Sequence, residues 1–425
     1  MLGALLFSLV SATFHFVVAR WAERSFPRLR PHRKRIAMSV ASFLAIAFLS
    51  RAATLAHLMH VPSSVSAFFA GEMSFVAVIA LPILVAQFVI GLLAPLVSWT
   101  LARAGMASPS LAPIASAGDA SPRVAVDSSD PDAPATATTP ALSRRLIIER
   151  AAGLLVTSAT ASVFAWGTIK GRIDFETIEV VVKLTRLPRV LDGYTIAQIS
   201  DLHVGTFVDD DHLRRGFEHV IKIKPDLIVA TGDLVDHDPA YAKKMADALA
   251  SLGAIARDGI SAILGNHDHY TGANQIVHAL RNSGVNILVD GGRVIRPGDG
   301  GGFALLGVDD LYPYRRRGGG PSLEHAEGDV PPDRATVLLS HQPTTVDIWA
   351  GRVDLQLSGH THGGQINPGF SIAKQVLKYV HGRYEIKGEI RGGTTLYVNR
   401  GFGTAGIPVR VRARPEVTKI VLVCG

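Results

Sequence analysis

Four uncharged, apolar runs crowd the first 170 residues, at 1–19, 36–50, 75–101 and 151–169. They limit what the chain can become, because a bilayer span takes about 20 apolar residues, range about 17–25. The first and third meet that length. The second holds 15 residues between Arg35 and Arg51, whose long side chains can snorkel and lengthen it. The fourth is rich in Ala, Thr and Ser but carries no charge. Repeated uncharged runs with basic clusters between them fit membrane helices better than helices buried in a soluble core. A cleaved signal peptide would carry its charge ahead of the apolar part. Here the basic cluster follows, so run 1–19 is expected to be a retained span.

Charge placement gives an expected orientation. The chain of 425 residues has 43 Lys and Arg against 36 Asp and Glu, a net charge of +7, with only 19% of residues charged. Residues 1–172 hold 15 basic and 7 acidic residues, whereas 173–425 hold 28 and 29. The surplus flanks the apolar runs, as the positive-inside rule describes, and gives no basic face for nucleic acid. Residues 20–35 carry seven basic groups and are expected in the cytoplasm; 51–74 carry one and are expected outside; 103–150 carry five and are expected inside. Four spans would leave everything after Ile169 outside the cytoplasm, and an odd number would reverse this. The one cysteine, Cys424, excludes an intramolecular disulfide and any multi-cysteine metal site.

The expected layout is a membrane region over 1–102 with about three helices, a disordered linker over 103–150, a spanning or signal-anchor helix over 151–169, and a catalytic domain over 174–425. Much of 104–142 is Ala, Pro, Ser and Thr with scattered Asp, a composition that does not bury a core. It leads to Ser143-Arg144-Arg145-Leu146-Ile147-Ile148. That segment resembles an internal twin-arginine export signal, and it reads equally as a plain cytoplasmic anchor cluster.

From about Asp174 short apolar runs alternate with longer segments of helical pattern, which indicates an α/β domain. Five runs end in polar residues suited to a metal. Run 195–200 leads to Asp201-Leu202-His203, 227–231 to Gly232-Asp233-Leu234-Val235-Asp236, and 260–264 to Gly265-Asn266-His267-Asp268. Run 336–340 leads to His341, and 354–358 to Gly359-His360-Thr361-His362. In α/β sheets, sites form beyond the carboxyl ends of strands, so the five tips are expected in one crevice. In an extended Asp-x-His, positions i and i+2 face the same way, and the glycines before Asp233, Asn266 and His360 allow sharp turns. Oxygen and imidazole donors suit Mn, Fe or Zn rather than a thiolate site or a calcium cage.

This order of motifs resembles the calcineurin-like metallophosphoesterase superfamily over about residues 190–425. Gly359-His360-Thr361-His362-Gly363-Gly364-Gln365 and Tyr397-Val398-Asn399-Arg400-Gly401 are similar to its membrane-anchored bacterial branch. The resemblance implies a four-layer α/β/β/α sandwich around a two-metal centre. It implies Asp201, His203 and His362 on one ion, Asn266, His341 and His360 on the other, and Asp233 between them. Two divalent ions lower the pKa of a water held between them and clamp phosphate oxygens, giving an in-line attack on phosphorus. His267 would then donate a hydrogen bond or proton to the developing charge, and Asp236 would orient it or instead cap a helix.

The expected activity is hydrolysis of a phosphate monoester, diester or pyrophosphate on a small-molecule, lipid or cell-envelope substrate. The setting would be a bacterial inner membrane, multi-pass, with the domain outside the cytoplasm. A lipid A-type UDP-2,3-diacylglucosamine pyrophosphatase is one alternative and would need a cytoplasmic domain. A non-enzymatic, metal-stabilised phosphate-binding membrane module is another. A nuclease would want a basic groove that residues 173–425 do not offer. Arg315-Arg316-Arg317 reads as an anion contact or a solvated loop, and Arg400 as a candidate for the crevice wall. Leaving-group choice is expected from 313–330 and from the loop 364–383.

Overall fold

In a computed structural model the chain is described over residues 12–55, except 14, 24 and 25, and over 144–425, except 299, 313–319, 329, 332, 368–370, 372 and 389–391. The third apolar run, most of the expected linker and the three consecutive arginines lie outside the described residues. The chain divides into two compact units, one holding Ala161–Gly425 and the other holding Val10–Ala41 and Val76–Thr160.

Two long helices carry apolar sequence. Helix α1, Arg33–Leu55, takes in the second run and extends it at both ends. Helix α2, Arg144–Ile169, contains the fourth run and also Arg144-Arg145. The last seven residues of the expected linker are therefore helical, because the Leu-Ile-Ile stretch that follows the arginine pair continues the helix. Arg150–Ile173 is long and apolar enough to cross a membrane, and only 11% of its apolar window is buried. That sets it apart from a core helix.

The α/β unit is built from two six-stranded sheets. The first has β1 Glu176–Leu184, β2 Tyr194–Ile199, β3 Leu227–Thr231, β4 Ile260–Ile263, β5 Asn286–Ile287 and β12 Glu416–Cys424, in the order β1-β12-β2-β3-β4-β5. The second has β6 Gly291–Ile295, β7 Phe303–Gly307, β8 Thr336–Leu339, β9 Leu355–Ser358, β10 Gly382–Ile386 and β11 Thr394–Val398, in the order β10-β11-β9-β8-β7-β6. Strands β2 to β5 are parallel, as are β7, β8, β9 and β11, with antiparallel partners at β12, β10 and β6. Each central strand is covered on both faces, so β3 and β8 have every residue buried, as expected of parallel strands inside a layered fold.

Three apolar layers follow. Ile196, Val229 and Ile263 from the first sheet meet Leu305, Val337 and Leu357 from the second in one buried cluster between the sheets. The other face of the first sheet packs on α3 Asp210–Ile223, α4 Ala242–Gly253 and α6 Ala273–Asn282 through Leu213, Met245, Leu249 and Ile276. The outer face of the second sheet is covered by Leu323, Ala326 and Trp349. Helix α3 shows how sequence sets one of these elements. Asp209 caps it by accepting from the His212 N–H at 2.9 Å, and the buried positions Leu213, Gly216 and Val220 recur at helical spacing. The architecture is the four-layer α/β/β/α sandwich.

Candidate metal centre

All five polar motifs sit just beyond the carboxyl ends of β2, β3, β4, β8 and β9, each strand ending within one residue of its sequence run. The strand ladder continues past the sheet edge and holds the loops in register. Asp201 N–H donates to the Gly232 carbonyl at 2.9 Å, His203 N–H to Asp233 at 3.0 Å, and Gly403 N–H to Asp201 at 2.8 Å. The carboxylate of Asp201 accepts the His360 N–H through both oxygens, at 3.0 and 3.1 Å, which joins the two sheets at the site.

One feature of the motifs differs from the extended geometry expected above. Asp201, His203, Asp233, His360 and His362 all have positive φ, between 48° and 75°. Side chains reach one point because the backbone curls through the left-handed region, which costs non-glycine residues about 1–3 kcal/mol each and clusters at functional sites. The glycine roles also divide. Gly232 takes φ +88° as a turn requires, whereas Gly265 is extended and its missing Cβ admits the Asp233 carboxylate.

Among the described residues three groups of donors have ligand atoms lying within 4.8 Å of one another: Asp201, His203 and His362; Asp233, His341 and His360; and His203, Asp236 and His267, which shares His203 with the first. In the first, His203 Nε2 lies 3.1 Å from His362 Nε2, and His362 Nε2 lies 3.3 Å from Asp201 Oδ1. In the second, His341 Nε2 is 3.2 Å from Asp233 Oδ2 and 3.3 Å from His360 Nδ1. Asp233 also approaches the first cluster, 3.7 Å from His203 Nε2. Asn266 opens helix α5, Asn266–Thr271; its amide donates to Tyr270 at 3.3 Å while its buried Oδ1 has no hydrogen-bond partner among the described residues.

A metal pair fits this donor set. Ring nitrogens face each other or a carboxylate at contact distance, a buried amide oxygen is unpartnered, and no cysteine competes. His341 is oriented as a ligand, since its Nδ1 donates to the Thr231 carbonyl at 2.8 Å and turns Nε2 toward Asp233 and His360.

The charges respond to one another. Burial disfavours the charged form of Asp233, yet the surrounding histidines, His341 first, hold its carboxyl well below the ordinary range. Burial likewise opposes protonation of His341, but Asp233 outweighs it and the ring's pKa rises well above normal. His362 goes the other way, pushed well below normal by burial, then His203 and Arg410. Burial also pushes His267 down to about 4.

Asp236 does not cap a helix; Asp238 caps the short turn Pro239–Tyr241 instead. Its Oδ1 stands 3.5 Å from His203 Nδ1, 3.7 Å from His267 Nδ1 and 3.5 Å from His237 Nε2, close approaches that stop short of formed hydrogen bonds. Among the described residues its Oδ1, His203 Nδ1 and His267 Nδ1 have no hydrogen-bond partner. His237 also stacks on His267, with ring centroids 5.2 Å apart.

Arg400 does not stand free in the crevice, because Glu416 and Glu176 bind its guanidinium. Two residues carry roles that sequence reasoning did not assign. Asp268 is fully buried and accepts from the N–H groups of Gly265, Leu234 and Val235 at 2.9–3.0 Å, which fastens the Asp233 turn to the Asn266 turn. Arg410 reaches His362. Asp268 was visible as the fourth letter of Gly-Asn-His-Asp, whereas Arg410 stands in a stretch with no motif.

Residues 194–364 match the calcineurin-like phosphoesterase family. An uncharacterized metallophosphoesterase of Bacillus subtilis is 30% identical over 286 residues, 66% of this chain and 98% of that protein. An uncharacterized metallophosphoesterase of Campylobacter jejuni is 33% identical over 57% of this chain and 62% of its own length. A Danio rerio protein named a transmembrane protein with metallophosphoesterase domain is 30% identical over 62% of this chain and 61% of its own length. The chain thus spans about three fifths of the latter two relatives. It belongs to the calcineurin-like metallophosphoesterases, hydrolases of phosphate esters.

Proposed function

We propose that the chain is a membrane-anchored phosphoesterase that uses Asp201, His203 and His362 for one divalent cation, Asn266, His341 and His360 for a second, and Asp233 for both. The observation that carries this reading is the shared carboxylate. The Asp233 carboxylate lies within 3.7 Å of ring nitrogens from both clusters.

When bound, a pair of divalent cations would lower the pKa of a water between them and neutralise phosphate oxygens. The chain supplies the rest. Asp233 is fixed by accepting the His267 N–H at 2.8 Å, so the donors are arranged in advance rather than drawn in by the substrate. His267 is 17% exposed at its side chain, so solvent reaches it. Its depressed pKa keeps the ring neutral at pH 7, and an arriving phosphate anion raises that pKa, so the ring can donate to the leaving oxygen. Asp236 beside it favours the protonated ring and sets its direction.

Helix α2 supports attachment to a membrane, as does the transmembrane description of the Danio rerio relative. The basic segment 20–35 supports a multi-pass arrangement in the bacterial inner membrane with the catalytic domain outside the cytoplasm. In that setting a lipid or envelope phosphoester suits the enzyme better than a cytoplasmic nucleotide-sugar pyrophosphate. The test is the full chain in detergent with Mn²⁺, offered p-nitrophenyl phosphate, bis-p-nitrophenyl phosphate and a pyrophosphate. Hydrolysis of at least one, lost in Asp233→Ala, is expected. A wild type inert with Mn²⁺, Fe²⁺ and Zn²⁺ that still binds phosphate would mean a binding module. A C-terminal reporter active only in the cytoplasm would reverse the orientation.

A further inference from the structure

The last turns of helix α2 reach the catalytic unit with apolar side chains still exposed, Val163, Trp166 and Ile169 among them. Tryptophan at the end of a spanning helix sits at the headgroup level, so Trp166 marks the bilayer surface if α2 crosses it. This end of the helix is seated on residues 409–411. A Cβ on Gly167 would stand 2.8 Å from Val409, and Phe164 packs with Ile407, Val409 and Val411. Ile366 belongs to the same cluster and bridges to Val411, whose carbonyl accepts the Asn367 N–H at 2.9 Å. The segment that follows the Gly-His-Thr-His motif therefore starts beside the foot of the membrane helix.

Further along that segment the side chains turn outward. Val376 is 75% exposed and Leu377 41%, and Ile348, on the short helix Val346–Trp349, is 61% exposed. Lys378 and Tyr379 both donate to Asp347, at 2.8 and 2.7 Å, which brings the Ile348 helix alongside. Residues 371–384 hold three basic residues and no acidic one, in a domain whose charges otherwise balance. The segment is firmly attached. Tyr379 is buried with Val346 and Leu396, and Thr361, between His360 and His362, donates to the Val380 carbonyl. Exposed apolar side chains interleaved with lysines suit the headgroup region of an anionic bilayer.

We propose that Val376, Leu377 and Ile348, with Lys374 and Lys378, form a foot that docks on an anionic lipid surface, that of the bilayer α2 crosses. The inference rests on the reading of α2 as a membrane anchor. A lipid surface fits better than a protein partner because the exposed apolar side chains of α2 end beside the root of this segment. Docking here holds the metal centre near the headgroups, where lipid phosphate esters are presented.

The test uses the full chain, with Cys424→Ser, in nanodiscs of phosphatidylcholine and phosphatidylglycerol. An environment-sensitive fluorophore is attached at Val376→Cys or Leu377→Cys. The control is Ile255→Cys, an exposed position ahead of the amino end of β4 and so away from the strand tips. Labels at 376 and 377 should be quenched by nitroxide-bearing lipids, escape quenching by aqueous iodide and emit further to the blue. The label at 255 should do none of these. Lipid quenching should fall in discs of phosphatidylcholine alone, and quenching indifferent to lipid charge overturns the role given to the lysines. Labels at 376 and 377 that stay open to iodide overturn the proposal. So do labels shielded from iodide but untouched by lipid quenchers, which would mean that protein covers the patch. A chain that alkaline carbonate strips from vesicles sinks the anchor reading and this inference together. A chain that resists carbonate while both labels ignore lipid sinks the inference alone.

Discussion

The two halves of the metal centre are built from similar side chains but supported differently. His341 donates through Nδ1 to a neutral carbonyl, that of Thr231, whereas His362 Nδ1 faces the buried guanidinium of Arg410 at 3.2 Å. The His362 half contains its own carboxylate, Asp201, with Asp236 behind His203; the His341 half offers neutral donors and depends on the shared Asp233 for anionic charge. Cation affinity follows the charge and number of the donors. The difference implies two unequal sites coupled through one carboxylate, with His267, the proposed proton donor, against His203 in the better-charged half.

The largest effect should come from the group both halves share. Asp233→Asn is expected to lower kcat/KM at least about 1000-fold, on the scale of losing a preorganised electrostatic group, and to reduce bound Mn²⁺; a variant retaining two ions and most activity would deny the sharing. Next, His267→Gln should cost about 100-fold or more in kcat with metal stoichiometry unchanged, and loss of metal from it would instead make His267 a donor. Asp236→Asn should cost about 10–100-fold. At the same site Asp268→Asn should destabilise the folded chain by about 1–3 kcal/mol, since a buried amide cannot accept from all three backbone N–H groups, read as a lower denaturation midpoint. The smallest difference concerns the halves themselves. Chelator titration should remove one ion about tenfold more readily, and His341→Ala should abolish that weaker step while His362→Ala abolishes the tighter one. A single step, or the reverse assignment, would show that Arg410 outweighs Asp201.

Much of this was legible because strand tips leave a local signature. The runs before Asp201, Asp233, Asn266, His341 and His360 are apolar and β-rich, and each stops at a glycine or polar residue within one position of the observed strand end. The backbone of the tips was less legible, because an extended Asp-x-His and a left-handed one are the same letters. Arg410 was hidden for another reason. Its guanidinium makes five contacts to four acceptors, the carbonyls of Gly403, Arg400 and Ala413 and the ring of His362, and no sequence pattern encodes that many separate contacts. Arg400 shows the converse: a motif residue after a strand that is taken up by Glu416 and Glu176.

Anomalous diffraction at the manganese edge from Mn²⁺-soaked crystals of the full chain tests the central claim most directly. The account predicts two peaks, one among Asp201, His203 and His362 and one among Asn266, His341 and His360, with the Asp233 carboxylate touching both. A map with no peak at these residues, or with a lone ion that Asp233 does not touch, would contradict it.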